Sequence, residues 1–350
     1  MSIFQNAVLP FEYGGVSVDE FAEKPVGSGP FVFESWTKGK EVKLLKNAKY
    51  WKENLPRLDS VTFSVVTDSS TRANQVQGGQ AQINEGPAFS SIENLRSQNG
   101  VEVELFEASN VDFLAFNTTK APLNDVHVRR AIAHTVDKDA IIKAVLFGNG
   151  EAAGGYMSPT SWSFDPSIAA DTYDLDKAKD ELAKSSQPNG FSATISVASG
   201  DPDQKAKAEI VQASAAKIGI DLQIESLDPS ALYAARDAGN YDMAFVYDTT
   251  DIVDPDEIIR FTGLVDGGSN ALGTSYDNRE MARLADLAVT LNDQDERQKI
   301  YFEIQRLWDA DQPAVSLYYS PSAYSFSSNV RDFHPSVTGN YNLVDVWMAK

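Results

Sequence analysis

The chain has 350 residues, 42% hydrophobic and 23% charged, a globular composition with enough length for two lobes that each bury a core. Fifty acidic against thirty basic side chains leave a formal charge of −20, a field that repels nucleic-acid phosphates and anionic lipids, so neither is expected as a partner. Without cysteine there are no disulfides, thiolate metal sites or thiol catalysis, and no run of eighteen apolar residues offers a bilayer span.

The opening MSIFQNAVLPFEYGG lacks the basic and then apolar pattern of a secretory signal. In VGSGP, Gly27 and Gly29 before Pro30 predict a tight turn needing unusual backbone angles; no Walker-type Lys follows to make it a phosphate cradle. From Val42 to Val103, strand-like runs (EVKLLKN, SVTFSVV, VEVELFEA) alternate with helical stretches at Ser69 to Gln80 and near Ser90 to Ser97, the first ending at a Gly78-Gly79 cap. VDFLAFNTT reads as a strand, and Asn124-Asp125 caps a helix expected to run from Val126 to about Phe147. Asn117 either bonds backbone where the chain passes between lobes or starts a turn before Pro122; Arg129 and Arg130 read as helix-surface charges.

Gly148 to Asp174 is rich in Gly, Pro, Ser and Asp and is expected to be a long loop, of the kind that often carries function. Its aromatics Tyr156 and Trp162 either stack on a ligand or anchor the loop to the core. Helices are then predicted at Leu175 to Lys184, Asp203 to Ile218, Pro229 to Ala238, Asn278 to Leu291 and Asp293 to Asp309. Between them lie the strands FSATISVAS, IDLQIESL and YDMAFVY, the last apolar enough to be buried on both faces. No repeat argues for a solenoid or propeller.

Several segments, taken together, resemble the peptide/nickel/opine solute-binding proteins of ABC importers, family 5. They are PVGSGPFVFESWTKGKEVKLLKNAKYW, FNTTKAPLNDVHVRRAIAHTVDKDAI, DKAKDELAKS, KIGIDLQIESLD, YDMAF, the DPD at Asp254 to Asp256, and DERQKIYFEIQRLWDADQPAVSLYY. The resemblance implies an α/β, two-lobe periplasmic-binding-protein-like fold of the large type II class, hinged around an enclosed ligand. Lobe two is expected at residues 112–318, and lobe one at 1–111 with a return at 319–350. Only about 24 residues precede the VGSGP turn, where the family has a long N-terminal portion, so lobe one is expected to be incomplete and the chain an excerpt, a split product or a truncation. The resemblance also implies an extracytoplasmic, periplasmic or surface-anchored monomer that delivers its ligand to permease subunits, with no cofactor, no metal and no catalysis.

The site is expected in DTTDIVDPDE, because ligands of α/β sheets sit outside the carboxyl ends of strands. In peptide-binding members an Asp three residues before the acidic residue of the [DE]-P pair holds the peptide's α-ammonium, and Asp251 stands there. A buried carboxylate at that point would select ligands bearing a cation; the alternative is an acidic surface turn. Asp248 and Asp256 are weaker candidates. The sequence departs from the family where peptide binders place a Trp, which is Tyr247-Asp248 here, and Phe245 replaces an Arg of one oligopeptide binder. Arg236 either reaches the cleft or lies on a helix surface.

An enzyme would need a constellation, and neither G-x-S-x-G, H-E-x-x-H nor a Walker loop is present. His127, His134 and His334 lack a shared metal geometry, and the aspartates at 248, 251, 254 and 256 lack the EF-hand glycine and terminal Glu. A nickel chelate, an opine or an oligosaccharide is the alternative ligand. From another class, the alternative is a chain that no longer transports and acts through its surface.

Overall fold

The computed structural model describes residues 10–264 and 272–350. The chain divides into two compact units, Met1–Phe106 with Ser322–Lys350, and Glu107–Pro321.

The first unit opens with α1 (Val18–Glu23), started by a capping box in which Ser17 and Glu20 satisfy each other's backbone N–H groups. It continues with β1 (Phe31–Thr37), β2 (Glu41–Lys46) and β3 (Ser60–Ser64), an antiparallel sheet in the order β1-β2-β3. Then come α2 (Ser69–Gln77), β4 (Ile83–Glu85), α3 (Ile92–Arg96) and β5 (Val101–Phe106). Gly27 and Gly29 do not take positive φ, so the unusual turn angles expected there are absent. The left-handed residue after α2 is Gly79, at φ +71°.

The second unit is built on β6 (Val111–Phe116), whose side chains after Asp112 are all buried. The predicted single helix from Val126 is instead two, α4 (Val126–Ala133) and α5 (Lys138–Val145). The break has a local cause: His134 ends α4, and the Asp137 carboxylate accepts the Ala140 N–H to start a new helix. The long loop holds only β7 (Glu151–Ala152). After it run α6 (Leu175–Lys184), β8 (Phe191–Ala198), α7 (Pro202–Ala215), β9 (Ile220–Leu227), α8 (Pro229–Asp237) and β10 (Met243–Asp248). The unit closes with α9 (Pro255–Ile258), α10 (Arg279–Ala288), α11 (Gln294–Asp311) and β11 (Ala314–Tyr319).

Each helix from α4 to α11 starts behind an Asp or Asn that accepts backbone N–H groups of its first turn. These caps are Asp125, Asp137, Asp174, Asp201, Asp228, Asp254, Asn278 and Asp293. Part of the chain's acidity is therefore helix-starting chemistry, which also suits the positive end of the helix dipole.

The sheet order is β7-β11-β6-β10-β8-β9. β6 is antiparallel to β10 and β11, while β8 is parallel to β9 and β10. On one sheet face, Val111, Phe113, Ala115 and Val246 pack with Tyr301, Ile304 and Trp308 of α11 and Met281 and Leu284 of α10. The chain then returns to the first unit as β12 (Ser322–Ser327), which lies between β4 and β5, followed by β13 (Val330–Arg331) and β14 (Trp347–Met348).

Candidate ligand-binding site

The carboxyl end of β10 and the start of α9 bring Asp248, Asp251, Asp254, Asp256 and Glu257 close together in the chain. Three of them find partners inside the unit. Asp254 caps α9 through the Asp256 N–H (3.0 Å) and takes both Nη atoms of Arg297, at 2.9 and 2.7 Å. Burial pushes its pKa up, but the Arg297 hydrogen bonds outweigh this and hold it below the ordinary aspartate value. Asp256 receives Nε of Arg260 at 3.0 and 2.9 Å. The Glu257 Oε2 accepts the N–H groups of Asp251 (2.9 Å) and Ile252 (3.0 Å) and the Thr250 hydroxyl (2.5 Å).

Asp248 and Asp251 have neither a cation nor such a set of donors among the described residues. Asp251 is exposed, so the buried carboxylate expected at this position is not there. A carboxylate oxygen closed off from solvent is found three residues earlier, in Asp248. The residue as a whole is half-buried, and its Oδ1 accepts the Thr249 N–H at 2.9 Å, while Oδ2 is shut off from solvent and has no hydrogen-bond partner. Burial, with Glu257 and Asp251 nearby, raises its pKa to about 7. Ser109 fixes the adjoining turn, its Oγ lying 2.7 Å from Thr249 Oγ1 and accepting the Thr250 N–H at 3.1 Å.

The other candidates scatter. Tyr247, beside Asp248, is 72% exposed and is register partner to Asp112. Trp162 is half-buried, packs edge-on against Tyr301, and has the Arg297 guanidinium 5.4 Å above its ring, so it braces the arginine that holds Asp254. Tyr156 lies wholly inside the core, 5.0 Å from Trp308, so of its two readings the packing is that of an aromatic anchoring the loop and not of one stacked on a ligand. Phe245 is buried, with the Lys207 ammonium 5.0 Å over its ring.

Asn117 and Arg236 belong to the other end of β10, near Tyr241, about 20 Å of strand away from Asp248. Asn117 donates to the Gly239 and Tyr241 carbonyls at 2.8 and 3.1 Å and accepts from the Thr119 N–H and hydroxyl, which fills its hydrogen-bonding capacity. Arg236 is half-buried on α8, its pKa lowered by burial.

Two buried cations look in sequence like solvated charges. Arg129 is not on the helix surface: its guanidinium is buried and donates to the carbonyls of Gln312 (2.9 Å) and Asp311, at the C-terminal end of α11, and to that of Leu123 (2.8 Å), before α4. Arg130 donates to the Ala310 carbonyl beside it at 2.5 Å. Lys207 is also buried, its ammonium 2.8 Å from Asp112 and over the rings of Phe245 and Tyr318. A signal for this pair exists in the sequence: Asp112 interrupts an apolar strand, and Lys207 falls on the inward stripe of α7 with Val211, Ser214 and Ala215.

In open α/β sheets ligands commonly bind outside the carboxyl ends of strands, which is where the acidic loop of this sheet lies. Residues 3–270 match the family described as bacterial extracellular solute-binding proteins, family 5 middle, and the chain belongs to that family. Di/tripeptide-binding protein 3 of Pseudomonas aeruginosa is 28% identical over 92% of this chain and 62% of its own length. Heme-binding protein A of Haemophilus influenzae is 31% identical over 90% of this chain and 58% of its own length. The chain thus spans under two thirds of these curated relatives. Among solved structures, the periplasmic binding protein DppA of Helicobacter pylori, in complex with the peptide STSA, superposes with a TM-score of 0.82 at 33% identity, covering 95% of this chain and 65% of that one. The α/β fold of family 5 periplasmic binding proteins is that of this chain. No helix among the described residues is long and apolar enough to cross a membrane.

Proposed function

We propose that this chain acts outside the cytoplasm as a monomeric solute-binding component of an ABC importer, capturing a small amine-bearing solute, a peptide foremost, and passing it unchanged to permease subunits. One observation carries the choice of ligand class. Among the described acidic groups around α9, Asp248 alone has a carboxylate oxygen closed off from solvent with no described donor on it, an arrangement that costs free energy until a proton or a ligand cation arrives. A ligand ammonium would supply a charge-assisted hydrogen bond there, with exposed Asp251 three residues on as a second carboxylate. The ligands in the relatives' names, dipeptides and tripeptides in one and the peptide STSA in another, support the same class. Calcium is disfavoured, because Asp254 and Asp256 are already held by arginines.

Thermal unfolding against di- to pentapeptides, their N-acetylated forms, heme, nickel chelates, opines and oligosaccharides tests this, since binding to the native state raises the unfolding temperature. Free-amine peptides are expected to raise it, and acetylation or Asp248→Asn to abolish the rise. Equal shifts from acetylated and free peptides would overturn the amine reading. A shift from heme alone would move the ligand class to that of the Haemophilus relative's name.

A further inference from the structure

Glu257 is the third residue of α9, after the Asp254 cap, and its Oε2 turns back onto the acidic loop to accept the Asp251 and Ile252 N–H groups and the Thr250 hydroxyl. The other two acids at this helix start are neutralised by arginines, Asp254 by Arg297 at 2.7 Å and Asp256 by Arg260 at 2.9 Å. The donors on the Glu257 oxygen are instead all neutral, so they fix the loop and leave the negative charge uncancelled.

Asp248 lies within reach of that charge. Its Oδ1 accepts the Thr249 N–H at 2.9 Å, its Oδ2 is shut off from solvent without a partner, and besides burial the groups that oppose its ionisation are Glu257 and Asp251. The charged groups on the surrounding elements are committed to one another. On β6 the register partner of Asp248 is Val111, and Asp112 beside it is paired with Lys207. Between α9 and α11, Asp254, Arg297 and Tyr301 are bonded together, and Arg260 joins Asp256 to Asp286 of α10. Among the described residues, Asp248, Asp251 and Glu257 thus form a group of three carboxylates without a basic side chain of their own.

We propose that Glu257 makes capture at this site a proton exchange: without ligand its charge helps to hold a proton on Asp248, and an arriving ammonium displaces that proton to solvent. The step balances: the Asp248 carboxylic acid and the ligand ammonium give a carboxylate–ammonium pair and one proton. The inference rests on the amine reading of Asp248 and adds the regulation of that site. Glu257 acts through Asp248 and is a positioning residue, which sets the pH at which capture weakens. An α-ammonium stays charged up to about pH 7.7, whereas Asp248 is held up to about 7. Below pH 7 the ligand's charge is therefore constant, and the carboxylate it needs is lost as acid is added.

Calorimetric titration of the whole chain with the peptide STSA and its N-acetylated form, at pH 5 to 7 in buffers of differing ionisation enthalpy, tests this. The affinity for STSA is expected to rise about fiftyfold from pH 5 to pH 7, with about one proton released per peptide at pH 6. Glu257→Gln keeps an oxygen for the loop donors and loses the charge, so it is expected to bind at pH 7 with less than half of that rise. A residue that only shaped the loop would leave the pH profile unmoved, and an unmoved profile overturns the proposal. If that variant does not fold, the parent's proton release decides. STSA bound with an affinity flat from pH 5 to 7, and its acetylated form rejected, would overturn the exchange and leave the amine reading standing. Equal binding of the two forms, or binding of neither, would overturn both.

Discussion

Arg297 grips Asp254 with both of its terminal nitrogens, 2.9 and 2.7 Å from the two carboxylate oxygens, and so ties the acidic loop to α11. The same guanidinium donates to the Tyr301 hydroxyl at 2.5 Å and lies over the rings of Trp162 and Tyr301. One side chain thus joins the start of α9, the long loop and the helix beneath the sheet.

Arg297→Met should release this junction. A charge-assisted fork at a partly exposed site contributes about 1–2 kcal/mol, so a modest fall in unfolding temperature is expected, read by calorimetry. Because Asp254 also starts α9, amide exchange at 254–258 should rise more than in β8, which takes no part in the fork. An equal rise in both would show general loosening instead.

Asp248 predicts a pH dependence of the opposite sense to a paired aspartate. Its folded pKa is raised to about 7, so the folded state keeps a proton that the unfolded chain has lost. Its contribution is fully present below the unfolded value, about 4, and is lost as pH rises through about 7. Asp248→Asn should therefore unfold at higher temperature than the parent at pH 8 and differ little at pH 4. A free-amine peptide should narrow the gap at pH 8 by stabilising the parent alone. A variant less stable at both pH values would refute the assignment.

Lys207 and Asp112 form a buried ion pair at 2.8 Å, with the ammonium also over Phe245 and Tyr318. Removing one partner strands the other charge, at a cost of about 3–5 kcal/mol. Lys207→Met and Asp112→Leu are each expected to destabilise strongly in urea titrations, and the double variant to recover much of the loss. Additive losses would mean that packing against the rings matters more than the charge pair.

The fold is largely legible in the sequence because its local signals agree with its tertiary ones. Leu175 to Lys184 and IDLQIESL are bounded to the residue, the first by the Asp174 cap and the second by Gly219 and Asp228. The break between α4 and α5 is hidden because apolar spacing continues across it through Val136, and Asp137 reads equally well as a helix-surface charge. The site is less legible for a different reason. Whether a charge is buried depends on what folds over it, so Arg129 and Asp248 look in sequence like the solvated residues around them. Tyr156 poses the converse problem: its loop is recognisable, but a loop aromatic can face core or ligand, and only packing against Trp308 decides.

Gly190 gives a test of how the sheet edge is built. It sits before β8 at φ +94°, opposite Gly219 before β9 at φ +85°, and a Cβ at Gly190 would come 2.0 Å from the Gly219 carbonyl oxygen. Two penalties follow for any side chain there: a left-handed conformation costing about 1 kcal/mol, and a backbone clash that no rotamer relieves. Since β8 and β9 are parallel partners from Phe191–Ile220 onward, relief requires the strands to part at the start of their register. Gly190→Ala is expected to cost about 2–4 kcal/mol by urea unfolding, with faster amide exchange at the first residues of both strands. Gly200→Ala, at φ +82° with open space around its Cβ, separates the two penalties, because it carries the conformational one alone. Its loss should stay near about 1 kcal/mol, and equal losses at the two glycines would mean that the close approach of the β8 and β9 backbones adds nothing to the requirement for glycine.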